Sequence, residues 1–345
     1  MFSRFILFKG ICLGNKTCEF RLTSLSKLRK AWRNKCWEVL LTTRYLEYFL
    51  AAVAIATNFI VVIVTASSKS LRESTAFLLI AQMALCDVFM GVYAAGIARG
   101  HRLAGNALLF PQWRRVTCPY FRSIFTIAQF MDVSTCFLVT LERYLAIVFS
   151  MRPFVRLEKL PAACLSVLFC VIAGTLCALI QIIDRGQITD NFMCLLIRDF
   201  EKSSSLHVSQ FVLLITTVWY LIIIAMYLHI YIYVKKSRKD TGVQGHRDSK
   251  LARIIGLVIL SNVVFFVIPN LTIIVMTIGS FYFRTSAAAN STVRRWLPPM
   301  CLVFNSCINP FLFAFRNDKF QAALRSIFFR YVGMLNNLKA KVRQK

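Results

Sequence analysis

The sequence predicts an all-α membrane protein: a bundle of seven transmembrane helices followed by a short amphipathic helix in the membrane surface. Three observations carry this. Apolar runs of about 20 residues, the length that crosses the hydrocarbon of a bilayer, recur along the chain. Of the 345 residues, 57% are hydrophobic and 17% charged, with a mean hydropathy of +0.61, which is more apolar than soluble domains. The basic residues, which raise the formal charge to +27, gather mainly between the apolar runs. There they face lipid headgroups and set orientation, so the charge does not point to nucleic acid.

Spans are predicted at 46–66, 75–98, 118–149, 160–183, 207–234, 251–279 and 296–315. Hydrocarbon offers no water to backbone N–H and C=O groups, so each run must satisfy them internally, as a helix. The third and sixth runs exceed the bilayer thickness and should tilt or project into water. Residues 317–332 differ in pattern. Phe320, Leu324, Ile327, Phe328 and Tyr331 recur at spacings of three and four, with Lys319, Arg325 and Arg330 between them. That is a helix lying in the membrane surface. The chain thus divides into a basic extracellular tail at 1–45, the seven-span domain at 46–315 and a cytoplasmic helix and tail at 316–345.

Orientation rests on charge and on glycosylation sequons. With the N-terminus outside, the connecting loops hold 12 Lys and Arg inside against 11 outside, a bare margin by the positive-inside rule, and the C-terminal segment raises the inner count to 20. The N-terminal tail, with 10 more, counts against it. Sequons at Asn15 and Asn290 both fall outside in this topology and decide the matter. A third, at Asn270, lies within span six and is not read as a glycosylation site. The FILF run near the start is short and interrupted by Lys9, so either span one is expected to serve as the signal anchor or the sequence lacks a longer authentic ectodomain. The tail carries no leucine-rich repeat.

Ionisable groups inside spans are costly, and each is a candidate functional residue. Cys118 and Arg143 stand 25 residues apart, about 37 Å along a helix, so they mark opposite ends of span three. Asp132 lies 11 residues before Arg143, close to three turns, and so shares its face near mid-membrane. Asp87 lies mid-way along span two, and span seven carries Asn305-Ser306-Cys307-Ile308-Asn309-Pro310. Two carboxylates, two amides and a hydroxyl at similar depth make one pocket. The carboxylates cannot both stay charged there without a cation or a shared proton between them. Cysteines inside the runs, Cys86 and Cys136 among them, are small packing residues.

ALCD at 84–87, Cys118, LERY at 141–144, Pro269 in span six and NSCINP at 305–310 resemble the rhodopsin-like (class A) G-protein-coupled receptors in order and spacing. Asn58 stands where that family has an Asn in its first span. CDVFMGVY, TLERYLAIV and AMYLHIYIYVKKS look most like the glycoprotein-hormone and relaxin receptor branch, without its leucine-rich ectodomain. The resemblance implies a plasma-membrane receptor that binds an extracellular peptide or small molecule and activates a heterotrimeric G protein. It implies a disulfide between Cys118 and Cys194, both in outer positions. It also implies a coupling site at Glu142, Arg143 and Tyr144, where Arg143 pairs in the resting state with Glu142 and with Asp248. Tyr227, Pro269, Pro310 and Phe313 match its switch positions. Asp87 resembles the family's sodium-binding Asp, which makes Asp87, Asp132, Asn305, Ser306 and Asn309 a pocket for an allosteric Na+ or a shared proton.

Several family features are missing. Span four lacks its Trp, and span five has Trp219 near the place of its Pro. Span six has Val267 in place of the switch Trp, and Phe313 lacks the hydroxyl of the usual Tyr. These departures leave open a non-signalling scaffold or decoy receptor. A transporter built on the two Asp residues is disfavoured, because no inverted repeat or matched pair of broken helices is present. No catalytic triad, phosphate loop or metal motif suggests an enzyme, and no cofactor is expected apart from the Na+.

Overall fold

A computed structural model describes residues 45–103, 108–149, 157–183, 205–241, 257, 260–261, 263–272, 275, 297 and 300–343. Among the described residues there is no strand. The principal helices are α1 (Tyr45–Ser67), α2 (Thr75–Leu103), α3 (Cys118–Val148), α4 (Lys159–Ile183) and α5 (Ser205–Thr241). They are followed by α6 (Val263–Thr272), α7 (Met300–Leu312) and α8 (Asp318–Arg343). Five of them, α1 to α5, are long and apolar enough to cross a membrane; α6 and α7 are described over shorter apolar stretches.

The third helix is the hub, packing against α2, α4 and α5. It begins at Cys118 with Pro119 in its first turn, where the missing N–H of proline costs nothing. Buried Tyr93, Ile97, Val133, Ile223 and Val303 join four helices in one apolar core. A second cluster near the Arg143 end brings Val61, Leu79, Leu138 and Ala314 against Phe320, which anchors α8 to the bundle. Large apolar side chains such as Phe59, Phe89, Leu168 and Ile232 stay exposed on the perimeter. On a soluble protein they would be a liability; here they are the lipid face. At Gly91 an added Cβ would lie 2.7 Å from Ile55 and 3.2 Å from the Ala51 carbonyl, so glycine is what lets α1 and α2 approach so closely.

Hydroxyls within the spans mostly bond back to their own helix. Thr57, Ser134, Thr140 and Ser306 donate to the carbonyls of Val53, Phe130, Cys136 and Leu302 at 2.7–3.1 Å, which removes the cost of a free polar group in hydrocarbon.

The structure departs from the sequence-based expectation in three places. The surface helix is not short: α8 runs 26 residues, because MLNNLKAKVR contains no Pro or Gly to stop it. A short helix at Leu109–Val116 precedes α3, where a loop was expected. Val263–Val267 and Pro310–Ala314 form wider π turns, the second closed by Phe315 N–H on the Pro310 carbonyl at 2.8 Å.

Candidate functional site

The polar pocket is built from several helices. Asp87, 1% exposed, accepts a hydrogen bond from Asn309 Nδ2 at 2.9 Å, which joins α2 to α7. Ser306 also stands beside this carboxylate. Pro310 has no N–H to offer the Ser306 carbonyl four residues back. Asn58 of α1 supplies a donor instead, with Nδ2 2.8 Å from that oxygen and 2.9 Å from the Ala54 carbonyl. Ser261, ahead of α6, donates to Asn305 Oδ1 at 3.2 Å. Pro269 is buried, and beside it Asn270 donates to Thr217 of α5 at 3.1 Å; the Asn270 sequon is therefore inside the bundle.

Asp132 faces the same interior and is 7% exposed, with the Asp87 carboxyl group as its electrostatic neighbour. Its Oδ1 is buried and makes no hydrogen bond among the described residues. The same holds for the hydroxyls of Thr135 and Tyr220. Tyr220 stacks on Phe266, ring centroids 3.9 Å apart, and its hydroxyl lies within electrostatic reach of Asp132 and Asp87.

At the far end of α3, Arg143 Nε lies 3.4 Å from Glu142 Oε2. The Arg143 side chain is 41% exposed, so this pair is open to solvent or to a partner. Tyr144 OH pairs with His229 Nδ1 at 2.9 Å, tying α3 to α5. Tyr227, two residues earlier, is buried against Thr140. Asp248, Cys194, Asn15 and Asn290 lie outside the described residues, as does the side chain of Phe313. Cys118 is buried and disulfide-bonded.

The family model for seven-transmembrane receptors of the rhodopsin family matches residues 57–313. The chain belongs to this family. Among curated proteins, the receptor is similar to the thyrotropin receptors of Felis catus and Canis lupus familiaris, each 28% identical over 81% of this chain and 35% of the relative. The thyrotropin receptor of Bos taurus is 26% identical over the same shares. The receptor thus spans about a third of the length of these relatives. Its family is one of receptors, not of enzymes, and its relatives stand in the glycoprotein-hormone branch.

The family departures have structural counterparts. Trp219 sits among Phe130, Phe137 and Phe169, with ring centroids 6.4, 5.1 and 5.2 Å away. This aromatic cluster clamps α5 to α3 and α4 where a Pro would have bent the helix. Val267 is half-buried and too small to repeat the contacts of the switch Trp it replaces.

Several site residues were missed in the sequence. Tyr220 looked like one more apolar residue, although it precedes Tyr227 by seven, two turns on the same face. His229 and Ser261 find their partners on other helices, which no local pattern encodes. Trp113 fills the space over Gly100, where a Cβ would lie 2.4 Å from its ring. Glu47 of α1 is buried within reach of Tyr93.

Proposed function

We propose that this receptor sits in the plasma membrane with its N-terminus outside and its C-terminus in the cytoplasm. There it converts binding of an extracellular ligand, a peptide or small molecule, into activation of a heterotrimeric G protein. The observation that carries the reading is the constellation at the Arg143 end of α3. Among the described residues, a half-exposed Arg143 pairs with its neighbour Glu142, beside the Tyr144–His229 bond and buried Tyr227. A ligand that favours one packing of the helices shifts the equilibrium by its differential affinity and no more. Separating α5 and α6 from α3 would widen the access of a G protein to Arg143. Arg143 is restrained at rest by Glu142 and, on this reading, by Asp248.

The Cys118–Cys194 disulfide pins the second outer loop over the bundle, and Asn15 and Asn290 are glycosylated. Lys235 and Lys236 at the inner end of α5 would steer an acidic partner or anionic lipid. The relatives are thyrotropin receptors, but at 28% identity and 35% of their length they do not assign a ligand.

The buried pocket fits a bound cation, such as an allosteric Na+, or a proton shared by the two carboxylates. Asp132 Oδ1 has no hydrogen-bond partner among the described residues, and the other donors are hard oxygens. Asp87, Asp132, Asn305, Ser306 and Asn309 would hold the ion, which would offset carboxylate charge in part and brace α2, α3 and α7 in the resting packing.

The test is second-messenger profiling in cells expressing the receptor, alone and then challenged with a ligand library. Arg143→Ala should abolish any response while surface expression holds. A non-signalling receptor is the second reading, favoured by Val267 and Phe313 at the switch positions. Ligand binding with no second-messenger change for any G-protein class would favour it.

A further inference from the structure

The pocket carries one carboxylate more than a single monovalent ion can neutralise. Asp87 on α2 and Asp132 on α3 face one interior, and among the described residues α2–α3 is the most extensive helix pairing. No basic residue of the described helices shares their depth. Between Arg122 and Arg143, α3 has no Lys, Arg or His. The same is true of α1, of α2 from Thr75 to Ala98, of α5 from Val208 to Leu228, and of α6 and α7. A counter-charge must therefore come from an ion or a proton. With both carboxylates charged, Na+ would leave a net negative charge in a medium of low dielectric, whereas a divalent ion leaves none.

The second observation is independent of the acidic pair. Tyr220 reaches in from α5, 1% exposed, with no hydrogen-bond partner for its hydroxyl and with Asp132 and Asp87 as the carboxylates within its electrostatic reach. Its ring is held by the stack on Phe266. A hydroxyl so buried needs a partner. Together with the unpartnered Asp132 Oδ1 it supplies a second buried oxygen that makes no hydrogen bond among the described residues, whereas Asn305 and Asn309 already bond to Ser261 and Asp87. Among the described residues, no group of three or more His, Cys, Asp or Glu gathers, so soft metals have no such site. A mixed, irregular set of carboxylate, amide and hydroxyl oxygens suits Ca2+ better than Mg2+, which demands a near-octahedral shell and keeps its waters.

Resting on the reading of this pocket as a cation site, we propose that it selects a divalent cation, Ca2+ before Mg2+, over Na+. Asp132 is the second carboxylate and Tyr220 a ligand from α5. The deciding experiment uses the full chain in lipid nanodiscs and measures thermal unfolding and 45Ca2+ binding at constant ionic strength. The native receptor should bind about one Ca2+ in the pocket and show a saturable rise in Tm with Ca2+, less with Mg2+ and least with Na+. Asp132→Ser should lose the Ca2+ effect and become stabilised by Na+. Tyr220→Phe, which keeps the ring stack, should weaken Ca2+ binding by roughly tenfold. If Asp132→Ser does not fold, Asp132→Asn, of nearly the same shape, takes its place. Stabilisation of the native receptor by Na+ but not by Ca2+ would overturn the divalent assignment and leave the cation pocket standing. No effect of any ion would overturn both. Undiminished Ca2+ binding in the Asp132 and Tyr220 variants would locate the ion elsewhere and overturn the proposal.

Discussion

Single side chains do specific repairs in this bundle, and Asn58 is the clearest case. Pro310 strips the Ser306 carbonyl of its helical donor, and Asn58 returns one from another helix. The sequence showed both residues but not the link between them, because a tertiary hydrogen bond leaves no periodicity. Asn58→Leu should therefore destabilise the receptor by about 1 kcal/mol, the scale of an intramembrane hydrogen bond, read as a lower Tm in nanodiscs. An unchanged Tm would mean that Ser306 finds another donor. Tyr144 makes a comparable tie to His229 at 2.9 Å. Tyr144→Phe keeps the ring and deletes the bond, so it should loosen α5 from α3 and raise basal second-messenger output; a lower output would reverse the assigned role. Asp87 and Asp132 were legible because charge in an apolar run stands out. Tyr220 was not, since its hydroxyl matters only where it points.

At the scale of elements, the apolar runs foretold the first five helices closely. Predicted spans at 46–66 and 118–149 correspond to Tyr45–Ser67 and Cys118–Val148, because bilayer thickness sets the length of such a run. The turns were harder. The Leu109–Val116 helix is too short and too polar for the span pattern, and a π turn depends on one shifted hydrogen bond. The length of α8 was missed because beyond Tyr331 the apolar spacing fades while helix propensity continues. Two substitutions probe these elements. Phe320 is fully buried where α8 meets the bundle and packs near Phe315, ring centroids 5.6 Å apart. Phe320→Ala should cost about 3–5 kcal/mol and release α8, seen as faster proteolysis of the C-terminal segment. Gly91→Val would force a branched side chain against Ile55 and the Ala51 carbonyl and should cost about 1–3 kcal/mol, read as reduced surface expression. Normal expression would show that α1 can move aside freely.

For the whole molecule, the fold and family follow from motifs spaced along one chain and from a match over residues 57–313, while ligand and G-protein class do not. Those depend on loops and on an outer surface whose chemistry no single motif encodes. The central claim is that the Arg143 end of α3 activates a G protein, and it is tested most directly by nucleotide exchange. Receptor in nanodiscs would be mixed with each class of purified heterotrimer, and GTPγS uptake compared between the native chain and Arg143→Ala at matched, folded receptor. The account predicts uptake above the receptor-free baseline for at least one heterotrimer, when a library ligand is bound if not before, and its loss in Arg143→Ala. Equal uptake by the two receptors would contradict it, as would a ligand that binds the native receptor without stimulating any heterotrimer.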